Sequence, residues 1–93
     1  MRVKKYKQFK ETPSPVEGWN YEGKSLHRAF EFEDFSQAWG FVKKVIEFAV
    51  EADHHPKILS DFNKVEIWLT SHDEGGVTPR DISLAGEINK IKI

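Results

Sequence analysis

The strongest periodicity in the chain is helical and runs from Phe35 to about Ala52. Phe35, Ala38, Trp39, Val42, Ile46, Ala49 and Val50 recur at spacings of three and four. Lys43, Lys44, Glu47 and Glu51 fall largely off that stripe. Asp34 precedes the run and Gln37 follows three residues later, the pattern of a capping box. The run ends at Asp53-His54-His55-Pro56, because the residue before a proline is pushed out of the α region. Two other segments alternate with a period of two. From Asn63 to His72, Val65, Ile67 and Leu69 point one way while Lys64, Glu66, Trp68, Thr70 and His72 point the other. From Lys24 to Phe32, Leu26, Phe30 and Phe32 share a face that Arg28 interrupts, opposite His27, Ala29 and Glu31. Trp19–Tyr21 begins a short strand that Glu22-Gly23 ends.

The remaining segments read from their turn chemistry. Residues 11–18 hold two prolines and a glycine, a linker composition. Residues 57–62 read as a connection, and Asp73-Glu74-Gly75-Gly76 as a turn. Thr78-Pro79-Arg80-Asp81 opens a second helix, with Thr as N-cap, Pro at the first position and an acid at the third. Ile82, Leu84, Ala85 and Ile88 are its expected buried stripe. Strands around a long helix, closed by a second helix, predict an α+β domain with both helices on one face of an antiparallel sheet. A basic N-terminal segment and linker (1–16) is expected to precede the domain (17–93).

Composition narrows the function classes. Ninety-three residues make one domain, and 39% hydrophobic with 13% aromatic content argues against intrinsic disorder. With no cysteine, disulfides, zinc–thiolate sites and thiol catalysis are excluded. No apolar run approaches the ~18 residues of a membrane span and no signal peptide opens the chain, so the expected location is cytoplasmic, with no membrane partner. Residues 1–10 hold five basic side chains and no acid, which leaves nine basic against fifteen acidic beyond them. A body near −6 argues against nucleic acid as a direct partner.

Histidine carries the candidate chemistry. His54 and His55 sit at a helix exit and His72 at a strand end, where sites are commonly built. Imidazole gives and takes protons near neutral pH, and adjacent histidines in extended backbone point apart, so they could flank a substrate. The competing readings are solvated loop histidines, and a metal site; adjacent histidines rarely chelate one ion together, which disfavours the metal. Asp81 could cap the second helix or orient a histidine. Trp19 and Trp68 could stack on a flat heterocycle or fill core and interface.

Taken in order, Glu17-Gly18-Trp19-Asn20, Phe32-Glu33-Asp34-Phe35, Gln37-Ala38-Trp39-Gly40-Phe41, Asp53-His54-His55-Pro56, Phe62-Asn63-Lys64-Val65, Thr70-Ser71-His72 and Arg80-Asp81-Ile82 resemble the signature of the pterin-4a-carbinolamine dehydratase family. That family includes the dimerisation cofactor of a homeodomain transcription factor. The resemblance spans about residues 17–91. It implies a four-stranded antiparallel sheet with helices on one side, assembled as homodimers or homotetramers. It implies dehydration of 4a-hydroxytetrahydrobiopterin to the quinonoid dihydropterin, in tetrahydrobiopterin recycling, with no metal or organic cofactor. On the matching positions His54, His55 and His72 would be catalytic. Asp53, Ser71 and Asp73 would line the pterin edge, Asp81 would orient a histidine, and Trp19 would lie near the pocket. Two departures matter: the family's acid four residues before the first histidine is here Val50, with Glu51 one place later, and residues 1–10 are too short and Lys-rich to supply the helix that many relatives carry before the Gly-Trp. The alternative function is a catalytically weak, dehydratase-like binding, dimerisation or assembly factor with a protein client. Assembly is expected in either case, because Trp39, Phe41, Phe48, Trp68, Ile82 and Ile88 exceed what one sheet and two helices cover, with Phe41 and Phe48 on one flank of the long helix.

Overall fold

The computed structural model describes residues 12–92, so the basic run at 2–10 lies outside the described residues. Its elements are β1 (Thr12–Pro13), β2 (Asn20–Glu22), β3 (Ser25–Glu31), α1 (Phe35–Ala52), β4 (Lys57–Asp61), β5 (Lys64–Leu69) and α2 (Pro79–Asn89), with a 3₁₀ turn at His72–Glu74. Strands β2–β5 make the antiparallel sheet, and two-residue β1 extends one edge, giving the order β1-β2-β3-β5-β4. Strand β5 lies between β3 and β4, pairing Leu26 with Leu69 on one side and Ile58 with Ile67 on the other. Since β5 is antiparallel to both, β3 and β4 run parallel, and α1 is the crossover between them.

Local chemistry sets the ends of α1. The Asp34 carboxylate accepts from the Gln37 backbone N–H at 2.8 Å, and the Gln37 side-chain oxygen accepts from Glu33 N–H at 3.1 Å. At the other end Asp53 adopts the left-handed conformation (φ 53°), with Asp53 N–H donating to Val50 O and His54 N–H to Ala49 O. This is a Schellman cap built on a non-glycine residue.

The core joins Leu26, Val65, Ile67 and Leu69 of the sheet to Ala38, Phe41, Val42 and Val45 of α1 and Leu84, Ala85 and Ile88 of α2. The β5 alternation holds in full. Two expectations change. Residues 57–61 form strand β4 rather than a connection, with Phe62 in the left-handed region (φ 57°) turning the chain into β5. Lys57-Ile-Leu-Ser-Asp has only a weak alternation, and its strand character comes from pairing with β5 along its whole length.

The apolar stripe of α1 is also rotated from the expected one. Its buried residues are Ala38, Phe41, Val42, Val45 and Ala49, while Phe35, Trp39, Ile46 and Val50 are exposed. Apolar residues cover well over half of this helix, so periodicity alone leaves its rotation open. Aromatic packing decides it: Phe41 lies 4.6 Å from Phe30 and 5.0 Å from Phe32, ring centre to ring centre. The uncovered flank is therefore Phe35–Trp39–Ile46–Val50, not Phe41–Phe48, and Ile88 is interior.

Burial and capping should separate cleanly in magnitude. Ile67→Ala, in the middle of the inner strand β5, should cost about 3 kcal/mol. Asp34→Ala, which removes one exposed cap, should cost about 1 kcal/mol. Urea unfolding of the two variants checks the order; a cap variant less stable than the core variant would contradict this account of the fold.

Candidate active site

Three chain segments meet where α1 ends, β5 ends and α2 begins. The Asp53 cap reverses the backbone so that His54 turns inward, and its ring is only 6% exposed. Strand β5 runs out at Leu69, and Ser71 then bridges Gly76 across the 3₁₀ turn, which places Ser71 inside and His72 outside. Thr78 caps α2, and Asp81 at the third helical position completes the capping box.

Asp81 is fully buried, and donors surround its carboxylate. Oδ2 accepts from the Thr78 backbone N–H at 2.9 Å and from the Ser71 hydroxyl at 2.8 Å, while Oδ1 contacts His54 Nε2 closely. Burial by itself pushes this carboxyl up. The hydrogen bonds from His54, the Thr78 backbone and Ser71, together with the charge His54 can carry, outweigh burial and hold its pKa below the ordinary 3.8. An ionised carboxylate only accepts, so the proton in the Asp81–His54 contact sits on Nε2, and a neutral His54 keeps its free lone pair on Nδ1. The helix-cap and histidine-orienting readings of Asp81 are thus both realised by one side chain.

His54 and Ser71 line a cavity of about 330 Å³ together with Asp53, His55, His72 and Asp73. His55 and His72 are solvent-exposed on its wall, and both also line an adjoining cleft that continues to Lys57 and Trp68. Asp73 accepts from Arg80 Nη2 at 3.3 Å, which ties the turn bearing His72 to the start of α2. Among the described residues no group of three His, Asp or Glu side chains is disposed to hold a metal ion.

Of the residues singled out in the sequence, seven converge here: Asp53, His54, His55, Ser71, His72, Asp73 and Asp81. Asp81 stands behind His54 rather than at the cavity surface. Trp19 is not brought to the site. Its indole is 2% exposed in the core, packs edge-on against Phe30, and donates to Asn89 at the far end of α2. Asn89 also accepts from Arg28, whose guanidinium lies where a Cβ on Gly18 (φ 86°) would fall, so the Gly-Trp pair serves packing. Arg80 and Thr70 line the cavity and carried no role in the sequence reading. The signal for Arg80 was its position inside the α2 cap motif, beside Asp81. Val50 is 67% exposed on the outer flank of α1, and Glu51 instead faces a groove that His54 also lines.

The fold and this site define a small α+β domain whose buried Asp–His pair backs an open histidine cleft, an arrangement suited to proton transfer on a small molecule. The sequence model of the family described as pterin 4 alpha carbinolamine dehydratase matches residues 3–91, and the chain belongs to that family. A protein of Sulfolobus acidocaldarius, provisionally named as a pterin-4-alpha-carbinolamine dehydratase, is 41% identical over 85 residues, covering 91% of this chain and 93% of the relative. A Koribacter versatilis protein with the same provisional name is 47% identical over 76 residues, covering 82% and 81%. A crystal structure of a transcriptional coactivator/pterin dehydratase from Brucella melitensis superposes with a TM-score of 0.76 at 37% identity, over 80% of this chain and 81% of that one.

The depressed Asp81 carboxyl sets a direction for acid sensitivity. A folded value below the unfolded one contributes stability that is present above pH 3.8 and is lost as pH falls through the folded value. Wild-type stability should therefore drop on acidification below about pH 4, and Asp81→Asn should be less stable at neutral pH with a shallower acid slope. Thermal melts from pH 7 to pH 2 check it; equal slopes would sink the claim.

Proposed function

We propose that the chain dehydrates a pterin 4a-carbinolamine, 4a-hydroxytetrahydrobiopterin, to the quinonoid dihydropterin by histidine acid–base catalysis. The observation that carries this reading is the buried Asp81–His54 pair, with His54 lining a cavity that His55 and His72 also line. The reaction breaks the C4a–O bond and removes the proton from the adjacent ring nitrogen, forming a C=N bond and water. Hydroxide leaves poorly, so an acid must protonate the hydroxyl while a base takes the nitrogen proton; each positioned group typically contributes about 10²–10⁴-fold. We assign the base to His54, whose tautomer Asp81 fixes and whose charge after proton uptake Asp81 offsets. His72 and His55, exposed on the cavity lining, are assigned to protonating and holding the hydroxyl. Asp53, Ser71 and Asp73 contribute the polar edge against which the pterin would lie. No step in this scheme requires a metal or an organic cofactor.

His54→Ala and His72→Ala should each lower turnover at least tenfold, within the range a lost acid or base gives. Stopped-flow dehydration of freshly made carbinolamine, with thermal melts as the folding control, checks them. A variant of normal stability with the wild-type rate removes that residue from the scheme.

A second reading, an assembly or client-binding factor, is favoured by one observation. Phe35, Trp39, Ile46 and Val50 on α1 are exposed, as is Phe62 in the turn before β5, and Phe35 stacks with Phe62 at 6.5 Å. An uncovered apolar helix flank of this kind is a liability in a monomer and is most simply covered by a second copy across a two-fold axis. The family resemblance extends this to a tetramer. Light scattering at ~10 μM, well within the usual range for stable dimers, should give at least twice 10.8 kDa, and Trp39→Glu with Ile46→Glu should lower the mass. A wild-type mass near 10.8 kDa contradicts assembly; a mass near twice that value keeps the dimer and rejects the tetramer.

A further inference from the structure

Asp81 accepts more than a helix cap supplies. The Thr78 backbone N–H, at 2.9 Å, completes the capping box and holds Oδ2. Ser71, 1% exposed, brings its hydroxyl to the same oxygen at 2.8 Å from the exit of β5. Ser71 Oγ also lies 2.9 Å from Thr78 Oγ1, and that oxygen lies 3.3 Å from the Arg80 backbone nitrogen. The dehydration scheme counts Ser71 only as part of the polar edge and gives the Thr78 hydroxyl no part.

The protons along this chain can be placed one by one. An ionised carboxylate only accepts, so Ser71 donates to Asp81. Its single proton is then spent, so the bond between the two hydroxyls is donated by Thr78. Thr78 Oγ1 accepts in turn from the Arg80 N–H. The longer approach of Thr78 Oγ1 to Asp81, at 3.4 Å, is the weaker outlet for the same proton. The donors thus point one way, from the first turn of α2 to Oδ2, while His54 Nε2 donates to Oδ1.

We propose that Ser71, backed by the Thr78 hydroxyl, is a positioning residue of the dehydration, acting through Asp81 to limit how tightly that carboxylate holds the imidazole proton of His54. The inference rests on the assignment of His54 as the base. The capping box fixes where the carboxylate lies; Ser71 takes up part of its charge, and that part is withdrawn from His54. Bonds in series polarise one another in a buried site, so Thr78 makes Ser71 the stronger donor. Burial pushes the Asp81 carboxyl up, and the Ser71 bond is one of those, after His54 and the Thr78 N–H, that bring it down. A base held too tightly keeps its proton and cannot take the next one, so the relay frees His54 for the following turnover.

The other ionisable groups around the two cavities that His54 lines are Glu51 and Asp53 at the end of α1, His55 beyond it, His72 and Asp73 on the 3₁₀ turn, and Arg80 and Glu87 on α2. All remain when a hydroxyl is removed, so their fields cancel in a comparison of variants. The test follows the His54 imidazole through its titration by NMR in the intact protein, and kcat/KM for the carbinolamine against pH. Ser71→Ala should raise the His54 midpoint by about half a pH unit, roughly threefold in proton affinity. Thr78→Val should raise it by less, and Thr78→Ser, which keeps the hydroxyl, should leave it at the wild-type value. The acid limb of kcat/KM should move to higher pH in the same order. Thermal melts report any loss of packing or capping separately. Midpoints that stay put in folded Ser71→Ala and Thr78→Val, whatever the loss of stability, overturn the proposal, as does a midpoint that falls. A raised midpoint with an unmoved acid limb in an active enzyme also overturns it, since His54 is then not the base that Ser71 serves. If the wild type dehydrates no carbinolamine while the midpoints move in this order, the relay stands and the function proposed for the cleft falls.

Discussion

A carboxylate taken wholly out of water must be surrounded by donors, and the donors of Asp81 come from three separate parts of the chain. The Thr78 N–H belongs to the start of α2, the Ser71 hydroxyl to the exit from β5, and His54 to the exit from α1. None of those segments is held at this point by apolar packing alone, since all three are element ends where the core thins out. The cost of burying the charge is met only when all three arrive together, so the same interaction closes the domain and fixes the orientation of the His54 ring. A partly satisfied Asp81 would be worse than none, which ties the integrity of the cleft to the integrity of the fold.

Much of this was legible in the sequence, and the physical reason differs from element to element. Strand β5 was plain because one of its faces is fully buried, so its alternation is strict. The α2 start was plain because Thr-Pro-Arg-Asp satisfies backbone donors locally. Strand β4 was hidden because an edge strand has one partner and little need for a buried face. The rotation of α1 was hidden because Phe35, Trp39, Ile46 and Val50 are as apolar as the residues that reach the core, and only the position of Phe30 and Phe32 distinguishes the two sides. Among the site residues, the histidines declared themselves by type and position. For Asp81 the cap and the histidine-orienting role stood as alternatives, because local spacing shows a cap but not which histidine packs on it from 27 residues away. Trp19 misled for the opposite reason: an indole beside a glycine suits a ligand platform as well as a core, and only its bond to Asn89, 70 residues on, settles it.

The division of labour between the two neighbouring histidines also follows from backbone geometry. A glycine is the usual residue for the left-handed turn that ends α1; here Asp53 takes it (φ 53°), and His54 is drawn under the helix by its own N–H bond to Ala49. His55, preceding Pro56, is then extended and faces solvent. Two chemically identical side chains thereby receive opposite environments, one braced by a buried carboxylate and one free to meet a ligand. Family membership places this chain among proteins with a pterin dehydratase name, and the bracing of one imidazole is the feature of its own geometry on which the proposed proton transfer rests.

The position of β5 has a consequence for how the molecule comes into being. One inner strand of the sheet, β5, is the last of the described strands in the chain, inserted between β3 and β4, which do not pair with each other. A nascent chain that has emerged through residue 61 has β3 without its inner neighbour and β4 with no partner at all. The β4–β5 pairing is a local hairpin, but the β3–β5 pairing spans the whole of α1, and long-range pairings form late and slowly compared with helices and hairpins. Ser71 and His72 follow β5 by only a few residues, and Thr78, Arg80 and Asp81 come with the start of α2 after them, so the sheet and the cleft are both completed by the same closing stretch of the chain. Any truncation before residue 64 therefore removes the inner strand and most of the cleft lining together.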